Sequence, residues 1–82
     1  MSMVSGSVLS ERELACLILL ASGMKTAEVA DRMSLARVTI DKYIKSIKIK
    51  LGARTMAQAI ALAIFNGIIE QQHLVAASPA TA

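Results

Sequence analysis

Between Arg37 and Gly52 the chain reads Arg-Val-Thr-Ile-Asp-Lys-Tyr-Ile-Lys-Ser-Ile-Lys-Ile-Lys-Leu-Gly, and its apolar residues Ile40, Ile44, Ile47 and Leu51 recur at steps of four, three and four. That spacing puts them on one stripe of an α-helix about 100° wide, and the stripe has to face a core. Asp41, Lys42, Lys45 and Lys48 recur on the opposite side. One face of this helix therefore packs while the other offers positive charge to solvent or to a ligand. Six of the nine basic residues (Arg37, Lys42, Lys45, Lys48, Lys50, Arg54) lie within positions 37–54, where Asp41 is the only acid. The formal net charge of +3 is modest, so it is the clustering that points to an anionic partner such as nucleic acid.

A chain of 82 residues has room for one small domain, and such a domain buries only about 60% of its unfolded surface. Hydrophobic content is 55%, yet Tyr43 and Phe65 are the only aromatics and Pro79 the only proline. Without strand-like alternation, this composition predicts an all-α unit filled with Leu, Ile, Ala and Met. The single cysteine, Cys16, excludes an internal disulfide and fits the apolar run 14–20 as a packing residue. The nearly apolar stretch 57–69 is interrupted by Gln58, Asn66 and Gly67, and it falls short of the roughly 20 residues that cross a bilayer. No basic segment followed by an apolar core opens the chain. We therefore expect a cytoplasmic protein without a membrane partner. One histidine, one cysteine, no paired carboxylates and no Gly-rich phosphate loop argue against an enzyme, a metal site, a cofactor or a small-molecule site.

Taken in order, residues 1–8 have no helical period and read as a flexible arm, 9–70 as the folded domain, and 71–82 as a flexible tail that includes a lone exposed His73. Ser10 with Glu13 forms a capping box that starts a first helix near Glu11. Leu14, Leu17, Ile18 and Ala21 are its buried stripe, and Gly23 suits the left-handed position after it. Thr26 is the expected cap of a short second helix through Met33, with Glu28 and Asp31 near its positive end. Only 34–36 separate it from the third helix, about 37–51, with Leu35 as the plug between them: a helix-turn-helix. Gly52 ends the third helix. Thr55 with Gln58 reads as a second capping box, opening a fourth helix that reaches about Asn66-Gly67.

These blocks carry a family resemblance. Leu9-Ser10-x-Arg12-Glu13, Gly23-Met24, Glu28-Val29-Ala30, Thr39-Ile40 and Lys50-Leu51-Gly52 follow one another as in the LuxR-type (GerE-like) DNA-binding domain of bacterial transcription regulators. The resemblance extends from Leu9 to about Ala63, and 61–64 with 67–69 look most like the quorum-sensing branch. It implies a four-helix helix-turn-helix fold, a recognition helix in the major groove and dimerisation on a roughly palindromic site. The sequence departs from the pattern at Lys25 and Ala36, where the family usually has Ser caps, and at Tyr43, where His is common. Thr26 and Ser34 are the expected substitute caps, since losing a cap costs about 1 kcal/mol. The change at Tyr43 is read as one of packing.

By the resemblance, Asp41, Lys42 and Lys45 would meet base edges. Lysine donates to guanine O6 and N7, and a carboxylate accepts from cytosine N4, although Asp41 could instead pair with Lys45 at i,i+4. Lys25, Thr26, Arg37, Thr39, Lys48 and Arg54 are read as phosphate contacts. Lys50 is placed in a structural pair with Glu28. The fourth helix is apolar on more than one face, and Ala59, Leu62 and Ala63 are expected to form a dimer interface through which two recognition helices address one duplex.

The sequence thus predicts a sequence-specific, homodimeric, double-stranded-DNA-binding transcription regulator that could also contact RNA polymerase. Its sensory domain is not encoded here, so the chain is expected to be either a C-terminal domain or a free-standing small regulator. The rival reading is an interaction module that joins a full-length LuxR-type regulator through the fourth helix and silences it. Lys25 and Ala36 favour the rival, whereas Lys42, Lys45 and Lys48 oppose it.

Overall fold

The computed structural model describes residues 9–69. The four expected helices are all present: α1 (Glu11–Ala21), α2 (Thr26–Met33), α3 (Arg37–Leu51) and α4 (Met56–Phe65). No strand occurs among the described residues. The expected arm 1–8, the tail 71–82 and His73 lie outside them.

Helix α1 starts where its capping box dictates. Ser10 Oγ accepts from the Glu13 N–H at 3.0 Å, and Glu13 Oε1 accepts from the Ser10 N–H at 2.9 Å. After the C-cap Ser22 the chain turns through Gly23 at φ +101°, and the Met24 N–H donates back to Leu19 O at 3.2 Å. The left-handed turn explains the glycine.

The helix-turn-helix does not use the substitute caps. Lys25, not Thr26, is the N-cap of α2, and only half a capping box forms: Glu28 Oε1 accepts from the Lys25 N–H at 2.8 Å. An ammonium has no lone pair to return the bond. Ser34 ends α2 instead of starting α3, in the left-handed conformation at φ 58° and ψ 43°. Ala36 is the N-cap of α3, with no side chain to cap it. The chain therefore keeps both helix starts and omits the side-chain caps, rather than shifting the helices toward new ones. Half-buried Leu35 packs on the core as the expected plug, with its N–H donating to Ala30 O at 2.9 Å.

Helix α3 packs against each of the other three helices. Ile40 and Ile47 are fully buried, and Ile44, Leu51 and Tyr43 are half-buried against the same cluster. The predicted stripe thus faces inward, and Tyr43 is a packing residue. Leu17 and Cys16 from α1, Val29 from α2 and Ile69 beyond α4 complete the centre. Each fully buried Leu or Ile contributes about 1.5–3 kcal/mol relative to exposure, so the stripe is the main reason α3 stays on the domain.

The fourth helix corrects two expectations. Gln58 reaches one residue further back than a capping box requires: its Oε1 accepts from the Arg54 N–H at 2.8 Å, while Thr55 Oγ1 accepts from the Gln58 N–H at 3.1 Å. More consequentially, Ala59 and Ala63 are fully buried in the chain's own core and cannot form a dimer contact. Their small side chains let α4 approach its own domain closely. Leu62 is half-buried and lies outside the core cluster. The outer face of α4 carries Ala61, Ile64 and Phe65, with Ile64 47% and Phe65 86% exposed.

Candidate nucleic-acid interface

Once Ile40, Ile44, Ile47 and Leu51 are committed to the core, helix geometry fixes what α3 shows on its other side. Asp41, Lys42 and Lys45 are all exposed, and together with Val38 they line a shallow surface depression of about 200 Å³. The three expected base-reading residues are thus brought together. Among the described residues Asp41 makes no ion pair with Lys45, so its carboxylate is open to an external donor.

The expected phosphate contacts are more scattered. Exposed Lys25 and half-buried Thr26 stand at the amino end of α2, exposed Arg37 and half-buried Thr39 at the amino end of α3. Lys48 is half-buried in the last turn of α3, and exposed Arg54 lies in the turn to α4. The amino end of α3 has a particular electrostatic character. The first turns of α1 and α2 hold acids, Glu11 with Glu13 and Glu28, whereas that of α3 holds none. With neither acid nor side-chain cap, its partial positive charge is left for an anion.

A buried polar network fixes the pitch of α3 on the domain. Glu13 is 6% exposed, and its second oxygen accepts from Ser46 Oγ while its first accepts from Lys50 Nζ at 2.8 Å. Lys50 therefore pairs with α1 and not, as the sequence suggested, with Glu28 on α2. Burial by itself would raise the Glu13 carboxyl, but the bonds from Lys50, Ser46 and the Ser10 N–H, with the Lys50 charge, hold it down at about 2. Next to it, burial followed by the Glu13 charge pushes the Cys16 thiol up to about 11. That sulfur stays protonated and unreactive in ordinary conditions. Glu13 is thus both the cap partner of α1 and the anchor of α3, a double role for which the sequence signalled only the first.

Val38 is the residue that sequence reasoning passed over. It is 60% exposed in the first turn of α3, four positions before Lys42 and seven before Lys45. The available signal was an apolar residue off the buried stripe.

The family model described as GerE, bacterial regulatory proteins of the luxR family, matches residues 7–63. The chain is 42% identical over 72 residues to the HTH-type quorum sensing-dependent transcriptional regulator VjbR of Brucella abortus (strain 2308), covering 84% of this chain and 28% of that protein. It is also 42% identical over 62 residues to the virulence-factor transcription regulator BvgA of Bordetella pertussis (strain Tohama I), covering 76% of this chain and 30% of that protein. The chain thus spans less than a third of the length of these relatives. No solved structure matches it significantly.

Proposed function

The chain belongs to the luxR family of bacterial regulatory proteins, a family of DNA-binding transcription regulators, and from that premise we propose that it binds duplex DNA sequence-specifically as a dimer. In this reading α3 enters the major groove with Asp41, Lys42 and Lys45 at base edges. Arg37, Thr39, Lys48, Arg54, Lys25 and Thr26 hold phosphates. The observation that carries the proposal is the shared depression on the solvent face of α3, where one carboxylate and two ammonium groups stand exposed, without an ion pair among the described residues. A carboxylate accepts from cytosine N4 and lysines donate to guanine O6 and N7, so this set discriminates G·C orientation along the groove. The bare amino end of α3 supports a phosphate contact at the point of entry.

Dimerisation in this proposal uses the outer face of α4, through Ala61, Leu62, Ile64 and Phe65. An 86% exposed phenylalanine beside these residues is an apolar surface that a second copy would cover. Two copies of α3 would then address successive major grooves of an inverted repeat. The quorum-sensing assignment rests on the description of VjbR. The equal identity to BvgA supports the family as a whole, and the sensed signal is proposed only for a longer protein of that kind.

The test is selection from random duplexes, followed by titration of the enriched sequence and of scrambled DNA at several salt concentrations. Enrichment of an inverted repeat, with affinity falling steeply as salt rises, is the expected result. Weak binding without enrichment would refute the reading and favour the rival, capture of a full-length regulator through α4.

A further inference from the structure

Asp41, Lys42 and Lys45 supply one acceptor and two sets of donors, but the major groove also displays an apolar feature that none of them reads. That feature is the C5-methyl of thymine. From the placement of Val38 we infer that it is a specificity-determining residue whose methyl groups pack against a thymine methyl, an inference that rests on the DNA reading proposed above.

A lone exposed valine needs no explanation on an ordinary protein surface. Val38 is not so placed: it lines the same depression as Asp41, Lys42 and Lys45, and it precedes Lys42 by one helical turn, in the part of a recognition helix that reaches base edges. Among the described residues nothing in the fold calls for it. It is 60% exposed and absent from the core cluster and from the residues packed against it. A β-branched residue also has lower helix propensity than Ala, Glu or Gln. The same branching makes it a suitable reader, because in a helix valine holds nearly a single χ1 rotamer. Its two methyls are therefore fixed before contact, and little side-chain entropy is lost on binding. The Cα–Cβ bond tilts toward the amino end of α3, the end without acid or cap, so a phosphate held there would bring Val38 onto the adjacent base edge.

The experiment replaces each thymine of the selected duplex, one at a time, with deoxyuridine, which lacks only the C5-methyl. The full 82-residue chain and its Val38→Ala variant are titrated on every duplex. Because Val38 is exposed and Ala is the better helix former, the variant should melt at or slightly above the wild-type temperature, which is checked by circular dichroism. Wild type should lose about fourfold in affinity at one thymine per half-site, the factor expected for withdrawing one methyl from apolar contact. Val38→Ala should bind the unmodified duplex more weakly and show no further loss at that thymine. The inference is overturned if wild type tolerates deoxyuridine everywhere, or if Val38→Ala loses as much as wild type at the sensitive thymine. A wild-type chain that fails to prefer the selected duplex over scrambled DNA would overturn the DNA reading and this inference with it. That result is distinct from a retained preference that ignores the methyl.

Discussion

Replacing Glu13 with Gln removes one negative charge from the junction of α1 and α3 while keeping the side chain's shape. Because the folded-state pKa of about 2 lies below the ordinary 4.5, the folded chain holds the anion more strongly than the unfolded one. The difference corresponds to about 3 kcal/mol of stability, fully present above about pH 5. Since the Lys50 side chain is 40% exposed, solvent screens part of the pairing, and about 2–3 kcal/mol is the better expectation. On a domain of this size that shifts the melting temperature by roughly 10–20 °C. As pH falls from about 5 toward 2, wild-type Glu13 takes up its proton and this contribution is lost, whereas the Gln variant has nothing to titrate at the site. By pH 3 the gap between them should have shrunk to less than about half. Urea unfolding followed by circular dichroism at pH 7, 5, 4 and 3 measures it. A gap that stays constant over that range would refute the argument, because the stabilisation would then owe nothing to the charge.

Three other perturbations address separate parts of the fold. Gly52→Ala should cost about 1 kcal/mol of stability by urea unfolding, because φ is +70° and no described residue would lie within 4 Å of the added methyl, so the penalty is backbone strain. Ala36→Ser should stabilise the chain by about 1 kcal/mol by supplying the missing cap, the backbone at φ −70° and ψ 150° being already suited to it. Ala36→Asp should add similar stability yet weaken DNA binding in the same titrations, by placing an anion where a phosphate is proposed. On the proposed dimer, Phe65→Asp should shift sedimentation from dimer to monomer and abolish the concentration dependence of the melting temperature, while leaving the helical circular-dichroism spectrum unchanged, given its 86% exposure in the single chain.

The sequence made the helices and their inward faces legible for identifiable reasons. The Ser10 and Glu13 box, the Ile40, Ile44, Ile47 and Leu51 stripe, and Gly23 and Gly52 are local signals, each decided within one or two turns of chain. Features set by how helices cross were not legible. The partner of Lys50 depends on which helix passes over the last turns of α3, and both Glu13 and Glu28 offered a carboxylate. Ala59 and Ala63 misled because alanine suits either a close crossing with the domain's own helices or one with a second copy. Periodicity cannot distinguish the two in a helix that is apolar nearly all round. The caps misled differently. Lys25 and Ala36 were expected to yield to neighbouring hydroxyls, but the core packing of Val29, Leu35 and Ile40 holds the register of both helices without them. Of the candidate site, Asp41, Lys42 and Lys45 could be assigned to one face, whereas Val38 showed only as an apolar residue off the buried stripe, and its place beside them needed the exposure of the α3 first turn.

The most direct test of the account is the ratio of affinities for the selected and scrambled duplexes, compared between wild type, a Lys42→Ala and Lys45→Ala double variant, and Lys48→Ala. If the solvent face of α3 reads bases, the double variant should lose discrimination, by about 1–3 kcal/mol for each good contact removed. Lys48→Ala should weaken both duplexes alike and lower the salt slope by about one unit. Equal losses on both duplexes for all the variants would contradict the assignment of base reading to Lys42 and Lys45.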